Sequence, residues 1–99
     1  MRFEIILAPE AIEDKKRLRA HDWAAVNDAL ERHLRHEPAK LSKSRIKRLR
    51  ELRRPQYRLR VGEMRVFYDV DMTVQEVQVL GIVAKSDAEA WLRAVGEKE

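Results

Sequence analysis

The sequence predicts an α+β domain: a small antiparallel sheet, an N-terminal helical hairpin and a short C-terminal helix, in the order β-α-α-β-β-β-α. Three stretches carry that reading. Residues 57–68 alternate around a tight turn, as a β-hairpin does. Residues 23–36 hold an apolar stripe at helical spacing, and residues 76–83 are apolar on both faces, as in a central strand. A run of strands after a run of helices reads as α+β.

Taken in order, Phe3, Ile5 and Leu7 alternate with Arg2, Glu4 and Ile6, which predicts a first strand over residues 2–7. Pro9 suits the first position of a helix, and Glu10, Glu13 and Asp14 suit its positive end. That helix is expected to reach Ala20, with a thin core stripe of Ala8, Ala11, Ile12 and Leu18. Asp22 is the expected N-cap of a second helix, whose stripe is Trp23, Val26, Leu30 and Leu34. Pro38 ends it. Residues 39–55 read as a long basic connection anchored by Leu49 and Leu52.

The hairpin is the most informative segment. Tyr57, Leu59 and Val61 share one face and Arg58 and Arg60 the other. Gly62-Glu63 puts glycine first, as a type II′ turn prefers. A two-residue loop then pairs Val61 with Met64, Arg60 with Arg65, Leu59 with Val66 and Arg58 with Phe67. One face becomes apolar and the other sets arginine opposite arginine. Like charges across a ladder repel, so this face is expected to meet something negative. Residues 64–70 form the next strand, and Asp71-Met72-Thr73 a turn. Gly81 is expected to permit close approach of another backbone. Ser86 is the expected N-cap of a terminal helix carrying Trp91, Leu92 and Val95.

At 99 residues the chain predicts one domain spanning residues 1–99. No apolar run is long enough to span a membrane, so no membrane partner is expected. Zero cysteines exclude disulfides and thiolate metal sites and fit a cytoplasmic location. His33 and His36 lack an evident third ligand and read as surface side chains, so neither a metal nor a cofactor is expected. The net charge is +4. Ten cations lie between Lys40 and Arg60 (Lys40, Lys43, Arg45, Lys47, Arg48, Arg50, Arg53, Arg54, Arg58 and Arg60), with Glu51 the only acid. A basic run leading into a basic strand face is an electrostatic footprint for nucleic acid or an acidic protein. Lys43, Lys47 and Arg48 are the expected phosphate contacts.

The run Tyr57-Arg58-Leu59-Arg60-Val61-Gly62-Glu63-Met64-Arg65-Val66-Phe67-Tyr68, followed by Val77-Gln78-Val79-Leu80-Gly81-Ile82-Val83-Ala84-Lys85-Ser86, resembles the RelE/ParE superfamily of bacterial toxins. The resemblance covers nearly the whole chain. It implies a sheet cradling two N-terminal helices, with a mobile C-terminal helix. It also implies one of two activities. RelE-like members cleave messenger RNA in the ribosomal A site, and ParE-like members poison DNA gyrase. Both are neutralised by a cognate antitoxin.

Residue by residue, the resemblance places Arg65 where RelE-type enzymes stabilise charge on the scissile phosphate. Arg58 and Arg60 fall where the family has further basic side chains. Lys85 falls at a position often held by a catalytic basic residue. Trp91 stands where RelE has a tyrosine, and this chain has no tyrosine after Tyr68. Trp91 is able to stack on a base but carries no phenolic proton. The expectation is a ribosome-dependent mRNA endonuclease with Arg58, Arg60, Arg65 and Lys85 as catalytic residues. The alternative is a gyrase-binding protein without nuclease chemistry. Arg65, facing away from the core, is expected to be replaceable by alanine without loss of the fold.

Overall fold

In the computed structural model, which describes residues 2–99, five strands form one mixed sheet and the N-terminal helices cover one of its faces. The chain runs β1 (Glu4–Leu7), α1 (Pro9–Arg17), α2 (Ala20–Ala29), a wide π-type turn (Leu30–Leu34), β2 (Ile46–Arg48), β3 (Leu52–Arg54), β4 (Tyr57–Val61), β5 (Met64–Asp71) and β6 (Glu76–Ala84). A 3₁₀ turn (Lys85–Asp87), α3 (Ala88–Val95) and β7 (Glu97–Lys98) complete it. The sheet order is β1-β6-β5-β4-β2, and β3 and β7 form a separate two-stranded ribbon.

The hairpin has the expected register: Tyr57 faces Tyr68, Arg58 Phe67, Leu59 Val66, Arg60 Arg65 and Val61 Met64. Gly62 has φ +57° and nothing within 4 Å of where a Cβ would stand. Glycine is needed there for the backbone angle, not for space. The inward face of the hairpin joins Phe3, Val77, Val79 and Ile82 beneath Ala11, Val26, Leu30 and Leu34 to make the core. Tyr68 is fully buried, and its hydroxyl donates to the Pro38 carbonyl at 2.7 Å. That bond ties the end of the helical segment to the sheet.

Several expectations need correction. The α+β class holds, but the sheet is not wholly antiparallel: β1 pairs with β6 in parallel. The helices and the connection after them carry the chain to the far edge, so the meander returns to β1 only with its last strand. Helix α1 stops at Arg17, and Ile12 is exposed, leaving Ala11 and Leu18 as its core contacts. Asp22 lies in the first turn of α2 rather than at its cap, still near the positive helix end. Ser86 lies within the 3₁₀ turn and caps nothing. Residues 39–55 are not merely a connection. Ile46 in β2 pairs with Leu59 and is 4% exposed, a core residue hidden in the sequence by flanking cations.

Strand β6 carries a bulge. Phe67 faces Gly81 while Tyr68 faces Val79, leaving Leu80 as the extra residue. The bulge lets Val79 point to the core and Gly81 to the opposite face. Beyond the end of β1, the Ile82 N–H lacks a strand partner on that side, and Asp14 of α1 accepts it at 2.9 Å. No helix of the described residues is long and apolar enough to cross a membrane.

Replacing Ile46 by alanine tests whether β2 belongs to the folded core. The expected loss is about 2–5 kcal/mol in urea unfolding. A loss under about 0.5 kcal/mol, as at exposed positions, would mean that β2 is peripheral.

Candidate nucleic-acid interface

The sheet face away from the helices gathers cations in two rows. One row crosses Lys47, Arg58, Phe67 and Gly81, and the next crosses Arg60, Arg65 and Val83. Lys47 does not sit in a loop, as the basic connection implied. Strand β2 sets it directly across from Arg58. Lys85 follows β6 as the first residue of the 3₁₀ turn, and its backbone N–H donates to the Glu63 carbonyl at 2.7 Å, which puts it beside the turn of the hairpin. Among the described residues, no carboxylate forms an ion pair with Lys47, Arg58, Arg60, Arg65 or Lys85.

The three arginines are not equivalent. Arg60 is exposed. Arg65 is only 6% exposed, and its Nη1 donates to the carbonyls of Gly62 and Met64, each at 2.9 Å. It therefore clamps the turn that sets the hairpin register, which corrects the expectation that Arg65→Ala leaves the fold untouched. Arg58 is half-buried in the neighbouring row, and among the described residues its Nε has no hydrogen-bond partner. Burial, then the charges of Arg65 and Arg60, hold its guanidinium below the ordinary arginine range. A buried donor left unsatisfied costs about 1–3 kcal/mol. An anionic ligand supplying an acceptor would recover part of that cost.

Beside the arginines lies an aromatic platform. Trp91 of α3 stacks on Phe67, with ring centroids 4.8 Å apart and planes 8° from parallel. The sequence predicts close approach of a backbone at Gly81; the close neighbour is the Trp91 indole, which a Cβ on Gly81 would overlap. Pairing of β7 with β3 tethers the chain just beyond α3. Trp91 is half-buried, with one ring face occupied by Phe67.

The basic run divides by partner. Arg54 pairs with Asp69 and Arg53 with Glu97, each at 2.7 Å, and Lys40 with Glu37 at 3.7 Å. The Arg48 Nη1 donates to the carbonyls of Leu49 and Gln56 at 2.8 and 2.9 Å, and its guanidinium lies over the Tyr57 ring. Arg48 thus fastens β2 to the start of β4 instead of standing free for a phosphate. Lys43 is exposed in the loop before β2, off the rows of the outer face. Among the described residues no group of His, Cys, Asp and Glu could hold a metal ion.

The two hydrogen bonds of Arg65 predict unequal stability effects. Arg65→Ala should lose about 1–3 kcal/mol, whereas Arg60→Ala should stay within about 0.5 kcal/mol. Urea unfolding of both variants measures the difference. Equal midpoints would show that the Arg65 clamp contributes nothing.

No protein-family model matches the chain, and no curated protein matches it in sequence. Solved structures do match in shape. The RelBE2 toxin–antitoxin complex from Mycobacterium tuberculosis contains a chain with a TM-score of 0.73 at 23% identity, over 85% of this chain and 99% of that one. The isolated RelE toxin of E. coli gives 0.63 at 14% identity, over 94% and 99%. The YoeB dimer of Staphylococcus aureus gives 0.58 at 21% identity, over 84% and 97%. The chain therefore has the RelE-like fold, with its uncompensated arginine face on the open side of the sheet.

Proposed function

We propose that this protein is the toxin of a type II toxin–antitoxin pair, a cytoplasmic endoribonuclease that cuts messenger RNA on the ribosome and is neutralised by a cognate antitoxin. The observation that carries this reading is the cation face of Lys47, Arg58, Arg60 and Arg65, which has no paired carboxylate and adjoins the Phe67–Trp91 stack and Lys85. Backbone phosphates suit the guanidinium forks, and bases suit an aromatic surface.

Cleavage by attack of the RNA 2′-OH needs three things: loss of a proton, stabilisation of a more negative phosphorane and protonation of the leaving oxygen. Arg58 and Arg60 meet the second need directly. Arg65 adds charge while holding the turn that aims them. Lys85 is the proton-transfer group at this end of the face. Lys43 and Lys47 bind flanking phosphates, and Trp91 extends the platform toward a base. Among the described residues, the two rows hold no imidazole or phenol. The site thus depends on the ribosome to position the RNA. The antitoxin would bring acidic side chains to the same face.

The sparse proton-transfer set also favours a second reading, a ParE-like gyrase inhibitor that acts by binding alone. Induced expression, with transcript ends and chromosomal breaks read in parallel, separates the two. The nuclease reading predicts cut transcripts, intact DNA and relief of growth arrest by the neighbouring reading frame's product. Arg60→Ala and Lys85→Ala should each slow cleavage, Arg60→Ala on the order of a hundredfold. Broken chromosomes with intact transcripts would overturn the nuclease reading in favour of gyrase.

A further inference from the structure

Around the β2 edge from the arginine face, a cavity of about 210 Å³ opens between the wide helical turn, the loop after it and β2. Arg32, His33, His36, Lys40 and Arg45 line it, with Glu37 the only acid of the lining among the described residues. It is smaller than the usual small-molecule pocket and is walled mainly by polar groups, so it suits a compact anion better than an apolar ligand. Arg32 and Lys40 are engaged only in exposed pairs, with Asp28 at 3.2 Å and Glu37 at 3.7 Å. Such pairs are weak and give way to a stronger anion. Arg45 has no ion pair among the described residues.

Two observations give this cavity a direction. First, among the described residues Arg32, Lys40 and Arg45 line it against one carboxylate, Glu37. His33 is held below the ordinary imidazole range by burial, then by Arg45 and Arg32, with Asp28 opposing. Second, the cavity is wired to the arginine face. The Ser42 hydroxyl oxygen accepts the N–H groups of Arg45 and Ile46 at 2.9 and 3.0 Å, which fixes the chain where it turns into β2. The Arg45 carbonyl then accepts the Arg60 N–H at 2.8 Å. Arg45 therefore stands between Arg60 on the open face and the cavity around the edge.

We propose that this cavity is a second phosphate site, which takes a backbone phosphate of the same RNA strand that lies on the arginine face, the strand turning over the β2 edge at Arg45. The proposal rests on the RNA-binding part of the functional reading above. A continuous series of cations, Lys47, Arg60 and Arg45, fits a polymer with one charge per unit. An acidic protein segment is the competing occupant.

NMR of the labelled full-length protein at low salt tests it, with a short single-stranded oligoribonucleotide and, separately, a glutamate peptide of equal length. The expected result is that the Arg45 and His33 side-chain signals move together with that of Arg60 as oligonucleotide is added. Arg45→Gln, its spectrum still dispersed, should weaken oligonucleotide binding several-fold while the Arg60 shift persists. Movement of Arg60 alone would overturn the second site and leave the arginine face standing. Movement of Arg45 and His33 without Arg60 would overturn the shared strand and the RNA-binding face alike, leaving an isolated anion site. No movement of either would overturn both. Tighter binding of the glutamate peptide in the cavity would overturn the RNA assignment in favour of an acidic protein.

Discussion

The register of one hairpin governs the rest of this molecule. A positive φ at Gly62 closes a two-residue turn between β4 and β5. Side chains alternate along both strands, so a slip of one residue would send Leu59, Val66 and Tyr68 to solvent and the arginines into the core. The turn is held from outside by Arg65, whose guanidinium donates to the carbonyls of Gly62 and Met64. A residue of the charged face thus fixes the geometry that buries the apolar face. Function and folding meet in that side chain.

Two further features shape the open face. The bulge in β6 turns Gly81 outward, and the missing side chain admits the Trp91 indole onto Phe67. This platform covers the β6 side of the sheet and leaves the β2 side to the cations. The second feature is the uneven pairing of charges. Arg53 and Arg54 are held by Glu97 and Asp69, and Arg48 is turned onto backbone carbonyls. On the two rows of the open face, Lys47, Arg58 and Arg60 stand without an ion pair among the described residues, with Arg65 behind them. Arg58 is half-buried and short of an acceptor, so burial first, and then the charges of Arg65 and Arg60, disfavour its guanidinium. A polyanion relieves repulsion and desolvation together.

The hairpin and its arginine face were legible in the sequence because strict alternation and a Gly-first turn are local signals. Val26, Leu30 and Leu34 were legible for the same reason, through helical spacing. Strand β2 was not. Ile46 is a single apolar residue among cations, and its strand exists only because β4 offers an edge to pair with. Without β2, neither the position of Lys47 across from Arg58 nor the anchoring of Arg48 was visible. The parallel pairing of β1 with β6 and the stacking of Trp91 on Phe67 are long-range facts that no local pattern encodes. The burial of Arg65 was likewise hidden, because it follows from how the guanidinium folds back over the turn.

The cations of the open face are placed to engage a phosphate backbone. The most direct test of that engagement is the salt dependence of affinity for single-stranded RNA, comparing the parent with a Lys47→Gln, Arg60→Gln variant. For single strands, the slope of log affinity against log salt becomes shallower by about 0.7 for each phosphate that the protein no longer neutralises. The variant is expected to show a shallower slope, by roughly twice that amount if each side chain holds one phosphate. An unchanged slope would contradict that engagement.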